Sequence, residues 1–93
     1  MMGLENLISL EQLQEVLEGK RIKVSKLIEN NIFTRKTTIE DATVFLLLQE
    51  VINHNKRDIV VFKENGGWII HISDILGKNI DEYKINICRE KVA

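Results

Sequence analysis

The stretch IVVFKENGGWIIHIS, Ile59 to Ser73, constrains the fold more than any other part of this 93-residue chain. Two runs rich in apolar and β-branched residues meet at Asn65-Gly66. An Asn-Gly pair between two such runs is typical of a β-hairpin with a type I′ turn. With this pair at the centre of the turn, the register predicts that Val61 lies opposite Ile70 in an antiparallel sheet.

The same register sorts the hairpin, residues 58–72, into two faces, because directly opposed residues of an antiparallel pair share a face. One face is suited to covering a helix and holds Ile59, Val61, Trp68, Ile70 and Ile72. The other face holds Val60, Phe62, Ile69 and His71. This second face is unusually apolar for a surface in water, so we expect it to be either partly covered or a partner-binding surface.

Two segments before the hairpin carry helix signals, and a third is ambiguous. Ser9 and Gln12 form a capping box ahead of apolar residues at helical spacing, which predicts a helix over 9–18. The segment 23–31 fits a strand or a helix. Because Lys26 interrupts the alternation that a strand would show, we favour the helix.

The segment TTIEDATVFLLLQEVINHN predicts the central helix, over 38–54. Its start resembles a capping signature, formed by Thr37 with Glu40 or by Thr38 with Asp41. Acidic residues also suit the first turn of a helix. Apolar residues cover a wide arc of this helix, and we expect two of them, Phe45 and Leu48, to be deeply buried.

The segment EYKINIC, residues 82–88, alternates apolar and polar side chains and predicts a third strand. The expected fold is α+β, with two or three N-terminal helices packed on a three-stranded antiparallel sheet made of hairpin 58–72 and strand 82–88. The chain length predicts a single domain, residues 1–93. Helices followed by a hairpin also resemble a winged helix-turn-helix in element order, although no sequence motif supports the resemblance.

Charge is unevenly distributed, although the formal net charge is only −1. Residues 1–19 contain four Glu and no Lys or Arg, whereas residues 20–36 contain six basic residues and one Glu. A dense basic segment is a candidate binding surface. The candidate partner-binding residues are Lys20, Arg21, Lys23, Lys26, Arg35 and Lys36, together with Val60, Phe62, Trp68 and Ile69 of the hairpin.

The residues that carry catalysis or bind cofactors in other proteins do not form a recognisable set here. The sequence has no phosphate-loop or dinucleotide-binding glycine pattern. His71 and Cys88 are the best metal-ligand pair, but zinc sites usually need three or four protein ligands. We therefore expect no enzymatic activity, no cofactor and no metal. The single cysteine fits a reducing compartment, and no apolar run is long enough to span a bilayer, which predicts a cytoplasmic protein without a membrane partner.

These features favour a small, non-enzymatic protein–protein interaction module that binds another protein. The small size and the composition, rich in Ile, Lys and Asn and without Pro, extend this hypothesis to an inhibitor of a host factor, such as a defence system, that a phage or mobile element encodes. The alternative is a winged helix-turn-helix DNA-binding transcriptional regulator. Nucleic acid is not the favoured partner, because the net charge is −1 and the proposed recognition helix begins with Glu40 and Asp41. A homodimer remains open.

Overall fold

A six-stranded antiparallel sheet covered by two short helices makes up the computed structural model, which describes residues 6–29, 34–53, 58–74 and 80–88. In chain order the elements are β1 (Leu7–Ile8), α1 (Leu10–Leu17), β2 (Ile22–Glu29), β3 (Thr34–Ala42), α2 (Val44–Ile52), β4 (Asp58–Glu64), β5 (Gly67–Ser73) and β6 (Asp81–Ile87). Across the sheet the order is β1-β4-β5-β6-β2-β3, so β1 and β3 form the two edges.

β4 and β5 form the predicted hairpin in the predicted register. Val61 lies opposite Ile70, and Glu64 lies opposite Gly67 beside the turn. Gly66 has a φ of 87°, the left-handed conformation that a type I′ turn requires. β6 pairs with the other side of β5, so the predicted third strand is also confirmed.

The capping box at the start of α1 is confirmed. The Ser9 hydroxyl accepts a hydrogen bond from the Gln12 backbone N–H at 3.0 Å, and the Gln12 side chain accepts one from the Ser9 N–H at 2.8 Å. Leu13 and Leu17 on the inner side of the helix are fully buried. Gly19 has a φ of 77° and turns the chain from the helix toward β2.

The prediction of a helix over 23–31 is wrong, because residues 22–29 form strand β2 and residues 30–31 lie outside the described part of the chain. β2 pairs with β6 on one side and with β3 on the other. Val24 faces the core, and Lys26 lies on the same face two residues later. The Lys26 ammonium is 2.5 Å from a carboxylate oxygen of Glu50, which allows a charged residue to occupy a core-facing strand position.

The helix predicted over 38–54 begins only at Val44, and residue 54 lies outside the described part of the chain. The N-cap is Thr43, whose hydroxyl accepts a hydrogen bond from the Leu46 N–H at 3.4 Å, and not Thr37 or Thr38. Residues 34–42 form β3 instead. The β-branched residues in this segment suit a strand, and pairing with β2 decides between the two structures.

The residues of α2 that enter the core are not the expected ones. Val44, Leu47 and Val51 enter the core, whereas Phe45 is 63% exposed and Leu48 is only partly buried. The expectation that Phe45 and Leu48 are among the most buried residues is therefore wrong. Thr43, the N-cap of α2, is a residue that the sequence interpretation placed inside the helix.

The predicted architecture of two or three helices on a three-stranded sheet is therefore wrong. Two helices cover a sheet of six strands within the described residues, and strands β2 and β3 replace the expected second helix and the first part of the third. The winged-helix-like element order is wrong for the same reason. What the chain does share with the prediction is an α+β composition and the arrangement of β4, β5 and β6.

Both helices contribute to one apolar core, which lies on one face of the sheet. The buried residues of this core are Leu13, Leu17, Ile22, Val24, Ala42, Val44, Leu47, Val51, Val61, Ile70, Ile72, Tyr83 and Ile85. We call this side of the sheet the helix face and the opposite side the outer face. Neither α1 nor α2, the helices of the described chain, has the length and apolarity needed to cross a membrane.

Candidate protein-binding surface

The structure buries most of the apolar hairpin surface that the sequence offered as a binding site. Phe62 and Ile69 on the outer face are 3% and 4% exposed. The Phe62 ring meets the His71 ring edge-on, with centroids 5.1 Å apart. Val60 is exposed, and Trp68, on the helix face, packs against the core. The sequence left two alternatives for the outer face, a partly covered face and a partner-binding surface. The burial of Phe62 and Ile69 agrees with a partly covered face.

His71 also makes a polar contact on the outer face. Its Nε2 lies 3.0 Å from a carboxylate oxygen of Glu82 on β6. Glu82 and Cys88 are about 20 Å apart along an extended strand, so His71 and Cys88 do not meet. The described residues hold no group of three or more His, Cys, Asp or Glu side chains placed to bind a metal.

Three of the six candidate basic residues are paired with carboxylates. The Arg21 guanidinium donates to Asp41 at 2.6 Å, and this hydrogen bond lowers the pKa of the Asp41 carboxyl and raises that of Arg21. The Lys23 ammonium lies 3.8 Å from Glu40. Because Lys26 is paired with Glu50 as well, the basic segment does not present its full positive charge to a partner.

The other three basic residues do not form one patch. Lys20 is exposed in the connection between α1 and β2. Arg35 and Lys36 are exposed on β3 but, as consecutive residues of a strand, they point to opposite faces of the sheet. Lys36 borders a shallow hollow on the outer face together with Lys84 and Glu82. The six residues are therefore spread over both faces and a connecting segment.

Strand β3 is a feature that the sequence interpretation missed. It lies at the edge of the sheet, and eight of its nine residues are exposed. In the described structure β3 pairs with β2 alone. An edge strand presents backbone N–H and C=O groups that another chain can pair with. The signal available in the sequence was the β-branched run Thr37, Thr38 and Ile39, which has high strand propensity.

The solvent-facing side of α2 is the second missed feature. Phe45, Leu46 and Ile52 are 63%, 58% and 70% exposed. Leu46 and Ile39 border a groove between α2 and β3, and Asp41 and Glu50 lie at the same groove. The signal was the wide apolar arc of the segment VFLLLQEVI, because a helix that packs on one side needs only a narrower stripe.

Two polar residues of β6 are buried. Tyr83 is fully buried on β6, and Asp81 is nearly so. Burial, and then the nearby carboxylates of Glu50 and Asp81, raise the pKa of the Tyr83 phenol. The Cys88 thiol donates to the backbone carbonyl of Glu40 at 3.3 Å and links β6 to the edge strand.

Comparison with known proteins adds no relative to this description. No family model matches the chain, no curated protein is significantly similar to it, and no solved structure matches its fold.

Proposed function

We propose that this chain is a small protein-binding module and that the exposed side of α2 is its binding surface. The observation that carries the proposal is the exposure of Phe45, Leu46 and Ile52 on one nine-residue helix. Large apolar side chains that are exposed together are typical of interaction sites. Burial of an aromatic residue such as Phe45 at the centre of an interface supplies much of the binding free energy.

The charge beside this surface indicates the kind of partner. Helix α1 contacts α2 within the helix layer, and its exposed residues include Glu11 and Glu15, with Glu18 directly after it. No basic residue lies in the last turn of either helix. Complementary charge favours a partner whose apolar patch is bordered by Lys and Arg. We propose that the partner is a protein with such a patch. We also propose that this chain acts in a reducing compartment such as the cytoplasm and has no catalytic role.

The winged-helix alternative loses its basis. Its recognition helix required helical residues from 38 onward, and residues 38–42 are part of a strand. Three of the six residues of its basic segment are paired with carboxylates. An inhibitor of a host factor, encoded by a phage or mobile element, remains one form of the protein-binding proposal, and only size and composition support that form.

The test compares partner binding by the wild-type chain and by a variant of the α2 surface. We expect Phe45→Ser with Ile52→Ser to weaken binding at least about tenfold, because anchor residues dominate interface affinity. Val60→Ser is the matched control, since Val60 is also exposed but lies on the outer face. Partners retained by the wild type are identified in cell extract and binding is then measured with the purified partner.

Circular dichroism and thermal unfolding show whether the variants keep the fold. Substitutions at exposed positions usually change stability by about 0.5 kcal/mol or less. Equal affinity of the wild type and the α2 variant for every purified partner would contradict the proposal. Loss of binding in the Val60→Ser control instead would place the binding surface on the outer face.

A further inference from the structure

We propose that two copies of the chain pair through their β3 strands, antiparallel to each other, with Thr38 of each copy at the twofold axis. The two six-stranded sheets then continue into one another. This inference does not rest on the proposed function of α2. It concerns the other missed feature of the molecule, the edge of the sheet.

The first argument is the length and exposure of the edge. β3 has nine residues, which span about 30 Å in extended conformation. Within the described structure it pairs only with β2, so its outer side has no strand beside it. A second antiparallel strand is the partner that satisfies a row of backbone donors and acceptors most directly.

The second argument is the charge pattern of the strand, TRKTTIEDA. Arg35 and Lys36 stand before Thr38, and Glu40 and Asp41 follow it at the same sequence distances. When the strand pairs with a reversed copy of itself about Thr38, Lys36 lies opposite Glu40 of the second copy. Arg35 then lies opposite Asp41 of the second copy. Each pair occurs twice because the axis is twofold.

The hydrogen-bond geometry of an antiparallel ladder restricts the alternatives to registers centred on a residue. Two directly opposed residues must both be hydrogen-bonded or both be non-hydrogen-bonded. A symmetric pair of identical strands is therefore centred on a residue and not between two residues. Centring on Thr37 or Ile39 would place Arg35 and Lys36 opposite Thr, Ile or Ala. The Thr38 register alone, among these three, matches each basic residue with an acidic one.

Because β3 contains a β-bulge, Lys36 with Glu40 is the main charge pair of the proposed interface. Val24 pairs with Ile39 and Ile22 pairs with Ala42, so two residues of β3 face the single residue Lys23 of β2. Glu40 is ion-paired with Lys23 on the outer face. Lys36 lies on that face too, since it is opposite Leu27, which like Lys23 is an odd-numbered position of β2. Lys36 of one copy and Glu40 of the other thus lie on the same face of the sheet, the outer face.

Charged residues and bulges also protect sheet edges from pairing, and β3 has both. Protection requires only that charge be present, and a strand of one sign protects best because copies repel each other. The two signs of β3 are arranged so that copies attract. The apolar residue Ile39 lies on the helix face and would meet Thr37 of the second copy. The edge is therefore self-complementary in the Thr38 register.

Charge exchange tests the pairing directly. We expect the wild-type chain to show a concentration-dependent monomer–dimer equilibrium by analytical ultracentrifugation. Lys36→Glu and Glu40→Lys should each raise the dimer dissociation constant at least about tenfold, because each change converts two attractions into two repulsions. Lys63→Glu is the matched control, an exposed strand charge on the β4–β5 hairpin, and should leave the dissociation constant unchanged.

Mixing the two single variants separates pairing from damage to the fold. A Lys36→Glu chain paired with a Glu40→Lys chain has opposite charges at both contacts, so we expect heterodimers although each variant alone is monomeric. The double variant Lys36→Glu with Glu40→Lys should dimerise again for the same reason. Circular dichroism checks that all variants fold.

Three outcomes would overturn the inference. The first is a wild-type chain that stays monomeric at the highest concentration reached. A monomeric chain whose β3 binds a different protein counts as the same outcome. The second is a dimer that neither single variant weakens, and the third is a mixture of the variants that fails to form heterodimers. None of these outcomes bears on the α2 surface, because the Phe45 and Ile52 variants are assayed with a different partner.

Discussion

At the scale of single residues, the ion pair between Lys26 and Glu50 links α2 to the sheet. Without this pair the core could not accommodate the Lys26 charge. The Lys26 side chain is only 14% exposed, and its ammonium is 2.5 Å from Glu50 on α2. A largely buried charge is tolerated when a partner compensates for lost hydration. This ion pair joins residues 24 positions apart in the sequence and links α2 to β2.

Glu50→Ala should therefore lower the free energy of unfolding by about 1–3 kcal/mol, because the Lys26 ammonium loses its partner while it stays largely buried. Replacing both residues, with Lys26→Met and Glu50→Leu, should recover most of the loss, since an apolar pair needs no hydration. Urea unfolding of the two variants measures both effects. Glu64→Ala, at an exposed position of β4, is the control. Equal stability of Glu50→Ala and the wild type would show that the pair contributes nothing.

Tyr83 gives a second prediction at this scale, through its raised pKa. Because the fold favours the neutral phenol, its contribution to stability is present below pH about 10 and is lost as the pH rises further. Tyr83 is the only tyrosine, so the phenolate absorbance reports this residue alone. We expect that absorbance to appear together with loss of the circular dichroism signal. A phenolate that forms near pH 10 in an intact fold would contradict the burial of Tyr83.

At the scale of elements, the phase of α2 decides which apolar residues enter the core. Leu47 is on the side of α2 that packs on the sheet and is 4% exposed, while its neighbour Leu46 faces solvent. Two leucines adjacent in sequence therefore have different energetic roles. The difference gives a test of the orientation of α2 that uses the same substitution at both positions.

Leu47→Ala should destabilise the protein by about 2–5 kcal/mol, because it leaves a cavity in the core. Leu46→Ala should change stability by about 0.5 kcal/mol or less. Thermal unfolding at matched concentration measures both. A larger loss for Leu46→Ala than for Leu47→Ala would mean that α2 presents a different side to the sheet.

The pairing of β5 with β6 depends on a close approach at Gly67. A Cβ added to Gly67 would collide with the backbone carbonyl of Ile85 and with the Asn86 side chain. Gly67→Ala should therefore cost about 1–3 kcal/mol of stability. Gly66→Asn is the comparison, since that position has open space and a φ of 87° that Asn adopts readily, and it should cost less. Denaturant unfolding that ranks the two variants in the opposite order would rule out the close approach.

At the scale of the whole molecule, β6 joins the two halves of the sheet. It pairs with β5 of the hairpin on one side and with β2 on the other. The first third of the chain therefore completes its pairing only when a strand near residue 85 is in place. Contacts this distant in sequence slow folding, because a long loop must close before they form.

A chain truncated after Asp74 should consequently lose cooperative unfolding, because both β5 and β2 lose a neighbouring strand and present new edges. We expect aggregation or a molten state, measured by near-ultraviolet circular dichroism and light scattering. Adding a synthetic peptide that contains β6 should restore structure. A truncated chain that unfolds cooperatively on its own would show that the hairpin and the N-terminal strands are independent units.

The sequence by itself determined the elements whose signals are local. The Asn65-Gly66 turn set the hairpin and its register, and the Ser9 capping box set α1. Each of these signals lies within a few residues of the structure that it specifies, so no distant contact was needed to interpret it. The alternation in β6 belongs to the same class.

Only the tertiary structure decided β2, β3, the start of α2 and the surface that remains exposed. Residues 22–29 and 34–42 have sequences that fit more than one conformation, and each became a strand because another strand lies beside it. The sequence interpretation treated the six basic residues as one binding surface. In the structure Arg21 pairs with Asp41, 20 positions away, and Lys26 pairs with Glu50, 24 positions away. Burial and charge pairing are properties of contacts between distant segments, so a local pattern cannot specify them.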